Sequence, residues 1–161
     1  MNKSASVAIE IVRAGLDDLD LVVPLFDAYL QFYKLPSNEE AARRFLHARL
    51  LNGEAMIFLA VEEAATKKHS RHALGFTLLY PTWSSLAQRR WWQLNDLYVV
   101  PEARQRGVAR ALLERARQLA EDTGASGLGL ETGKDNHPAQ KLYEQLGWKR
   151  EEEFFRYELH V

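Results

Sequence analysis

From Leu94 to Leu113 the chain reads Leu-Asn-Asp-Leu-Tyr-Val-Val-Pro-Glu-Ala-Arg-Gln-Arg-Gly-Val-Ala-Arg-Ala-Leu-Leu. An apolar strand runs into a proline, then a basic turn with one glycine, then directly into an amphipathic helix. That order constrains the fold to a strand–turn–helix unit, and it also makes an anion site. Across Arg104–Ala109 successive backbone N–H groups can point at one spot, and the following helix adds the positive end of its dipole. Gly107 and Ala109 are small enough for a phosphate to approach the main chain. Arg104, Arg106 and Arg110 put charge around it. A ligand carrying a pyrophosphate satisfies the whole pattern.

The rest of the chain frames this unit. At 161 residues it is long enough for one domain with a real core, and we read 1–161 as a single domain. A content of 47% hydrophobic and 27% charged residues argues against disorder, and a net charge of −1 argues against nucleic acid as the main partner. The absence of cysteine removes disulfides, thiol nucleophiles and cysteine-ligated zinc. No apolar run reaches membrane-spanning length and Met1–Ser6 leads into no apolar signal segment, so a cytoplasmic protein without a membrane partner is expected. The histidines His47, His69, His72, His137 and His160 fall at no metal-ligand spacing, and no metal is expected; His69 and His72 read as solvated.

Val7–Val12 alternates as a first strand. Asp17, Asp18 and Asp20 open a helix carrying Leu21, Leu25, Tyr29 and Phe32, with Pro24 near its first turns. Leu35-Pro36-Ser37 closes it and offers Ser37, with Glu40, as the cap of a second helix running to Asn52-Gly53. Met56–Glu62 and Leu74–Pro81 read as a hairpin around the polar connection Ala64–His72, with Lys67-Lys68 as surface charge. A loop, Thr82–Arg89, precedes the strand Trp91–Val100. The helix Gln105–Thr123 buries Val108, Leu112, Ala116 and Leu119 and stops at Gly124. Ser126–Thr132 is a short strand; Asn136 caps a helix that Gly147 ends; Trp148–Arg150 and Glu153–His160 read as final strands. The order β-α-α-β-β-β-α-β-α-β-β indicates a mixed α/β sheet with helices on both faces.

These motifs in this order resemble the GNAT superfamily of acetyl-CoA-dependent N-acetyltransferases. Arg104-Gln105-Arg106-Gly107-Val108-Ala109 fits the superfamily's pyrophosphate loop, with Ala109 in place of its commoner last glycine. Asn136-x-x-Ala139-x-x-Leu142-Tyr143-x-x-x-Gly147-Trp148 fits the helix and turn after the fifth strand, and Asp96-Leu97-Tyr98-Val99 fits the fourth strand. Tyr29-x-x-Phe32-Tyr33 with Asp96-Leu97-Tyr98 looks like the branch of diamine-type and fungal histone or small-amine acetyltransferases. The resemblance implies a central, mostly antiparallel mixed sheet of about seven strands, splayed between strands 4 and 5, with about four helices on its two faces.

It also implies roles. Acetyl-CoA is held by Arg104, Gln105, Arg106, Gly107, Val108, Ala109 and Arg110, with backbone groups of Leu97, Tyr98 and Val99 meeting the pantetheine and polarising the thioester carbonyl. Tyr143 is the candidate general acid: a phenol with pKa about 10 stays protonated at neutral pH and can donate to a thiolate. Asn136 reads as a helix cap, as a contact to the pantetheine or thioester region, or as both. For the base, Glu131 at the end of the fifth strand and Asp96 on the fourth are rivals, the first acting through water. Regular alternation sets Asp96 on the face opposite Asn95 and Leu97, so a bulge is needed for Asp96 and the Leu97 backbone to serve one site. Asn95 stands where the diamine branch often has a second acid, which leaves a dedicated base open. The structural alternatives are core packing for Tyr143 and a solvated strand end for Glu131.

The acceptor pocket is expected between the N-terminal helices and the loop before the fourth strand. Tyr29, Tyr33 and Trp83, with Asp96, are its candidate lining, among a group that includes Tyr80, Trp91 and Trp92. Aromatic faces attract ammonium groups by ~0.5–2 kcal/mol, although each ring also serves as core; Trp91 and Trp92 point to opposite faces. With no cysteine there is no thioester acyl-enzyme, so direct attack by a primary amine in a ternary complex follows. A small polyamine or amino-acid-like acceptor is favoured; a protein amine, or a CoA-binding sensor without chemistry, are the other readings. Phe154, Phe155 and Tyr157 on the last strand suggest an edge for a homodimer.

Overall fold

The structure, a computed structural model, describes residues 8–63 and 70–161. Val7, His69, Lys67-Lys68 and most of the connection Ala64–His72 lie outside them. The chain divides into two compact units, Met1–Glu131 and Thr132–Val161.

In the first unit, strands β1 (Glu10–Arg13), β2 (Met56–Glu63), β3 (Arg71–Ser84), β4 (Arg89–Val99) and β5 (Gly127–Leu130) form a sheet in that order. The first four are antiparallel neighbours and β5 runs parallel to β4. Helices α1 (Leu19–Phe32) and α2 (Glu39–Leu51) cover one face, where Val22, Val23, Phe26 and Leu46 pack on Ile57, Leu59, Val61, Phe76 and Leu78. Helix α3 (Val108–Asp122) serves the other: its stripe Val108, Leu112, Leu113, Ala116 and Leu119 is buried, and the Arg115 guanidinium lies 4.4 Å from the Phe58 ring centroid. Trp92 belongs to that face, its indole N–H donating to the Thr123 hydroxyl at 2.9 Å.

Several boundaries differ from the sequence reading, each for a local reason. Asn38, not Ser37, caps α2: its side chain accepts from the Ala41 N–H at 3.0 Å. The Ser37 hydroxyl instead donates to the buried Asp27 carboxylate at 2.7 Å. That bond, with donors from Asn38 and Gln31, holds Asp27 below the usual carboxylate range and ties the end of α1 to the start of α2. β3 continues past Pro81 to Ser84, so the expected loop shrinks to a four-residue turn at 85–88 between paired Ser84 and Arg89. Pro81 is tolerated because β2 stops pairing at Met56–Leu79, leaving that edge of β3 without a ladder that needs its N–H. Helix α3 begins at Val108 rather than Gln105, because Gln105 and Gly107 take left-handed backbone, φ 61° and 82°.

The second unit holds α4 (His137–Gln145). Asn136 caps it through Ala139 N–H at 3.4 Å, Pro138 sits in its first turn, and Gly147 follows at φ 86°. Among the described residues no strand follows α4, so the sheet has five strands rather than about seven. The Trp148 N–H donates back to the Tyr143 carbonyl at 3.0 Å and closes the helix end instead of opening a ladder. Alternation in Glu153–His160 sets which side chains share a side; a strand also requires backbone bonds to a neighbour, which periodicity does not specify.

Candidate active site

The turn after β4 is the first part of the site. Its left-handed residues at 105 and 107 alternate the backbone direction, a geometry that gathers N–H groups into a concavity. Gly107 is the N-cap of α3 and supplies no side-chain cap, and no acidic residue lies in the first turn of the helix. A Cβ at Gly107 would meet nothing within 4 Å, so the space over the turn is open. These features fit a phosphate group. Val108 contributes backbone alone, since its side chain is 1% exposed in the core.

The second part is the edge of β4. β5 pairs with β4 only over Trp91–Leu94 against Gly127–Leu130, so Asn95–Val99 runs past the end of β5. The register also shifts at this place: Leu94 pairs with Leu79 and Asp96 with Leu78, leaving Asn95 as an extra residue. This bulge stands before Asp96 and leaves Asp96 and Leu97 in regular alternation against Leu78 and Thr77, so it is not the bulge that would turn both to one site. Leu79 and Leu78 point to opposite faces, so Asp96 lies opposite Leu94, on the α1 face. The Thr77 hydroxyl, fully buried, donates to the Asp96 carbonyl at 2.9 Å and satisfies the backbone at the bulge.

Asp96 is the centre of the third part. It is 5% exposed. Burial raises its carboxyl above the usual range, against hydrogen bonds from the Tyr29 hydroxyl and the Asn95 amide (3.2 Å) that lower it. Burial and the Asp96 charge together push the Tyr29 phenol well above an ordinary tyrosine. Tyr80 moves the same way, first by burial and then by Asp96, with Arg49 opposing. The Tyr29 ring meets Tyr33 edge-on at 5.1 Å, Phe76 at 6.1 Å and Tyr98 at 6.5 Å. A carboxylate ringed by tyrosines can hold an ammonium and take a proton from it.

Other expected residues are placed elsewhere. Trp83, 67% exposed, carries the Arg90 guanidinium 4.7 Å from its ring, and Arg90 also covers Trp92. That puts Trp83 on the α3 face, five residues along β3 from Leu78, and not with Asp96. Trp91 lies against the backbone of Gly127, where a Cβ would come within 2.7 Å of the indole. Glu131 is exposed, immediately after β5. His72, read as solvated, is exposed on β3, with its Nδ1 3.7 Å from Glu62. In the second unit, Tyr143 is half-buried on α4, its ring 6.2 Å from Trp148. Among the described residues no cluster of three or more His, Asp or Glu is placed to hold a metal.

The sequence reading missed Thr77, and gave Asn95 no part in the geometry. Two adjacent polar residues interrupting an apolar strand were the signal for both the bulge and its repair.

Comparison with known proteins decides the family. The Acetyltransferase (GNAT) family profile matches residues 22–148. An uncharacterized N-acetyltransferase of Bacillus subtilis, YhfO, is 40% identical over 95% of this chain and 98% of its own length. The chain belongs to the GNAT acetyltransferase family. The crystal structure of a probable acetyltransferase, 43% identical, superposes with a TM-score of 0.85 over 94% of this chain and 97% of that one. An aminoglycoside N-acetyltransferase, AAC(6')-Iy, solved in complex with CoA, shares the fold at 18% identity, TM-score 0.78, over 99% of this chain and 100% of its own. The protein is thus an N-acetyltransferase, and members of this family use acetyl-CoA as co-substrate. Among the described residues, no helix is long and apolar enough to cross a membrane.

Proposed function

We propose that this N-acetyltransferase transfers the acetyl group of acetyl-CoA to a small primary amine, of polyamine or amino-acid type, by direct attack in a ternary complex. The buried Asp96 beside Tyr29 and Tyr80, with Tyr33 edge-on to Tyr29, carries this reading. A cation entering among the tyrosines replaces the hydration it loses with a carboxylate and aromatic faces. An amine of pKa near 10 is only about one part in a thousand neutral at pH 7, so a proton acceptor near it matters. Asp96 is our choice for that role; Glu131, at the exposed end of β5, is the alternative through water.

Acetyl-CoA supplies the activated acetyl group. The backbone at 105–109 and the dipole of α3 hold its pyrophosphate, and the β4 edge at Leu97–Val99 meets its amide-bearing arm. Tyr143 donates the proton to the departing thiolate, and Asn136, besides capping α4, contacts the same arm. The residues 1–161 act as one catalytic domain, in the cytoplasm, as a homodimer that uses the C-terminal segment with Phe154, Phe155 and Tyr157; light scattering after size exclusion reads the mass.

The test compares small diamines and amino acids with amino-terminal peptides at fixed acetyl-CoA. We expect kcat/KM to favour the small amines by at least about tenfold, or 1.4 kcal/mol. A preference for peptides would move the acceptor to proteins.

A further inference from the structure

We infer that Glu62 on β2 is a positioning residue for acetyl-CoA, acting by clamping Arg106 so that the turn 104–107 keeps its left-handed backbone; this rests on reading that turn as the pyrophosphate cradle. Arg106 was expected to put its own charge on a phosphate. Its guanidinium instead donates to the Glu62 carboxylate at 2.6 Å, with the acid side chain 17% exposed and the arginine 40%. Arg106 also draws the Glu62 carboxyl below its ordinary range, and His72, its cross-strand neighbour, lies on its other oxygen.

On the other side of the turn, the Arg104 Nε–H donates to the Val99 carbonyl at 3.1 Å. The turn is therefore tied to β4 through Arg104 and to β2 through Arg106. Between the two ties stands Gln105 at φ 61°. Left-handed backbone at a residue with a Cβ is strained and persists where the surroundings over-determine it. The two arginines supply that determination. An arginine already paired with a carboxylate brings little net charge to an anion, so Arg106 serves through the backbone N–H groups it holds in place. Releasing Arg106 lets Gln105 relax and turns those N–H groups away.

Steady-state kinetics of Glu62→Gln, Arg106→Gln and the double variant test this, with thermal melts to verify folding. Each single variant is expected to raise KM for acetyl-CoA about tenfold, with KM for the amine unchanged, and the double variant to be no worse than either single one. Exchanging the charges, Glu62→Arg with Arg106→Glu, is expected to recover most of the loss. The inference is overturned if Glu62→Gln tightens acetyl-CoA or leaves it unchanged while Arg106→Gln weakens it, the pattern of an arginine acting directly on phosphate. Gly107→Val separates the two levels. If it weakens acetyl-CoA while Glu62→Gln does not, the clamp fails and the cradle stands; if it leaves acetyl-CoA unaffected, cradle and clamp fall together. Should Glu62→Gln not fold, Arg106→Gln and the charge exchange carry the comparison.

Discussion

Asp96 has its carboxyl raised by burial and is supported by one phenol and one amide. In the proposed reaction its ionised form holds the ammonium and accepts its proton. Activity therefore falls as pH drops through a raised pKa, and the acid limb of kcat/KM for the amine is expected above the ordinary carboxylate range. Tyr29→Phe removes a bond that favours the charged form, so that limb should move to still higher pH; a shift downwards would contradict the assignment. Stability runs the other way. A carboxyl raised on folding stabilises the fold fully below its unfolded pKa, and that contribution is lost as pH rises through the folded value. At neutral pH the buried charge is a burden, so Asp96→Asn should keep or raise Tm while lowering kcat/KM by about a hundredfold. A melt and a rate on the same sample read both.

At the scale of elements, the turn and the β4 edge depend on backbone that side chains would spoil. A Cβ on Gly75 would sit 2.5 Å from the Tyr98 carbonyl oxygen, so Gly75→Ala forces β3 and β4 apart where β4 bears the site. A loss of about 1–3 kcal/mol in urea unfolding is expected, with KM for acetyl-CoA rising as the edge shifts. Much of this element layout was legible in the sequence. The stripe Val108, Leu112, Ala116 and Leu119, the cap at Asn136 and the stops at Gly124 and Gly147 are local, fixed by helical spacing and by residues suited to left-handed backbone. The bulge at Asn95 was not legible: alternation raised the question only for Asp96 and Leu97, and those two stay in regular register with Leu78 and Thr77. The tie between Glu62 and Arg106, 44 residues apart, was not legible either, since nothing in either neighbourhood names its partner. Nor was the extension of β3 past Pro81, which depends on where β2 ends. Trp83 failed for a related reason: aromatic density marks a region but not a face.

At the scale of the whole molecule, the family fixes the reaction class and the acceptor remains the proposal. Tyr143→Phe removes the candidate acid with little change in packing area. A drop in kcat of about 10²–10⁴-fold is expected, with KM for acetyl-CoA unchanged; unchanged turnover across a broad amine panel would remove Tyr143 from the chemistry and return it to helix packing. The most direct measurement is release of free thiol from acetyl-CoA by the wild-type chain and by Asp96→Asn, across small primary amines. The account predicts amine-dependent release by the wild type, saturating in both substrates and severely reduced in Asp96→Asn. Binding of acetyl-CoA with no release for any amine would contradict it, leaving a CoA-binding protein without chemistry.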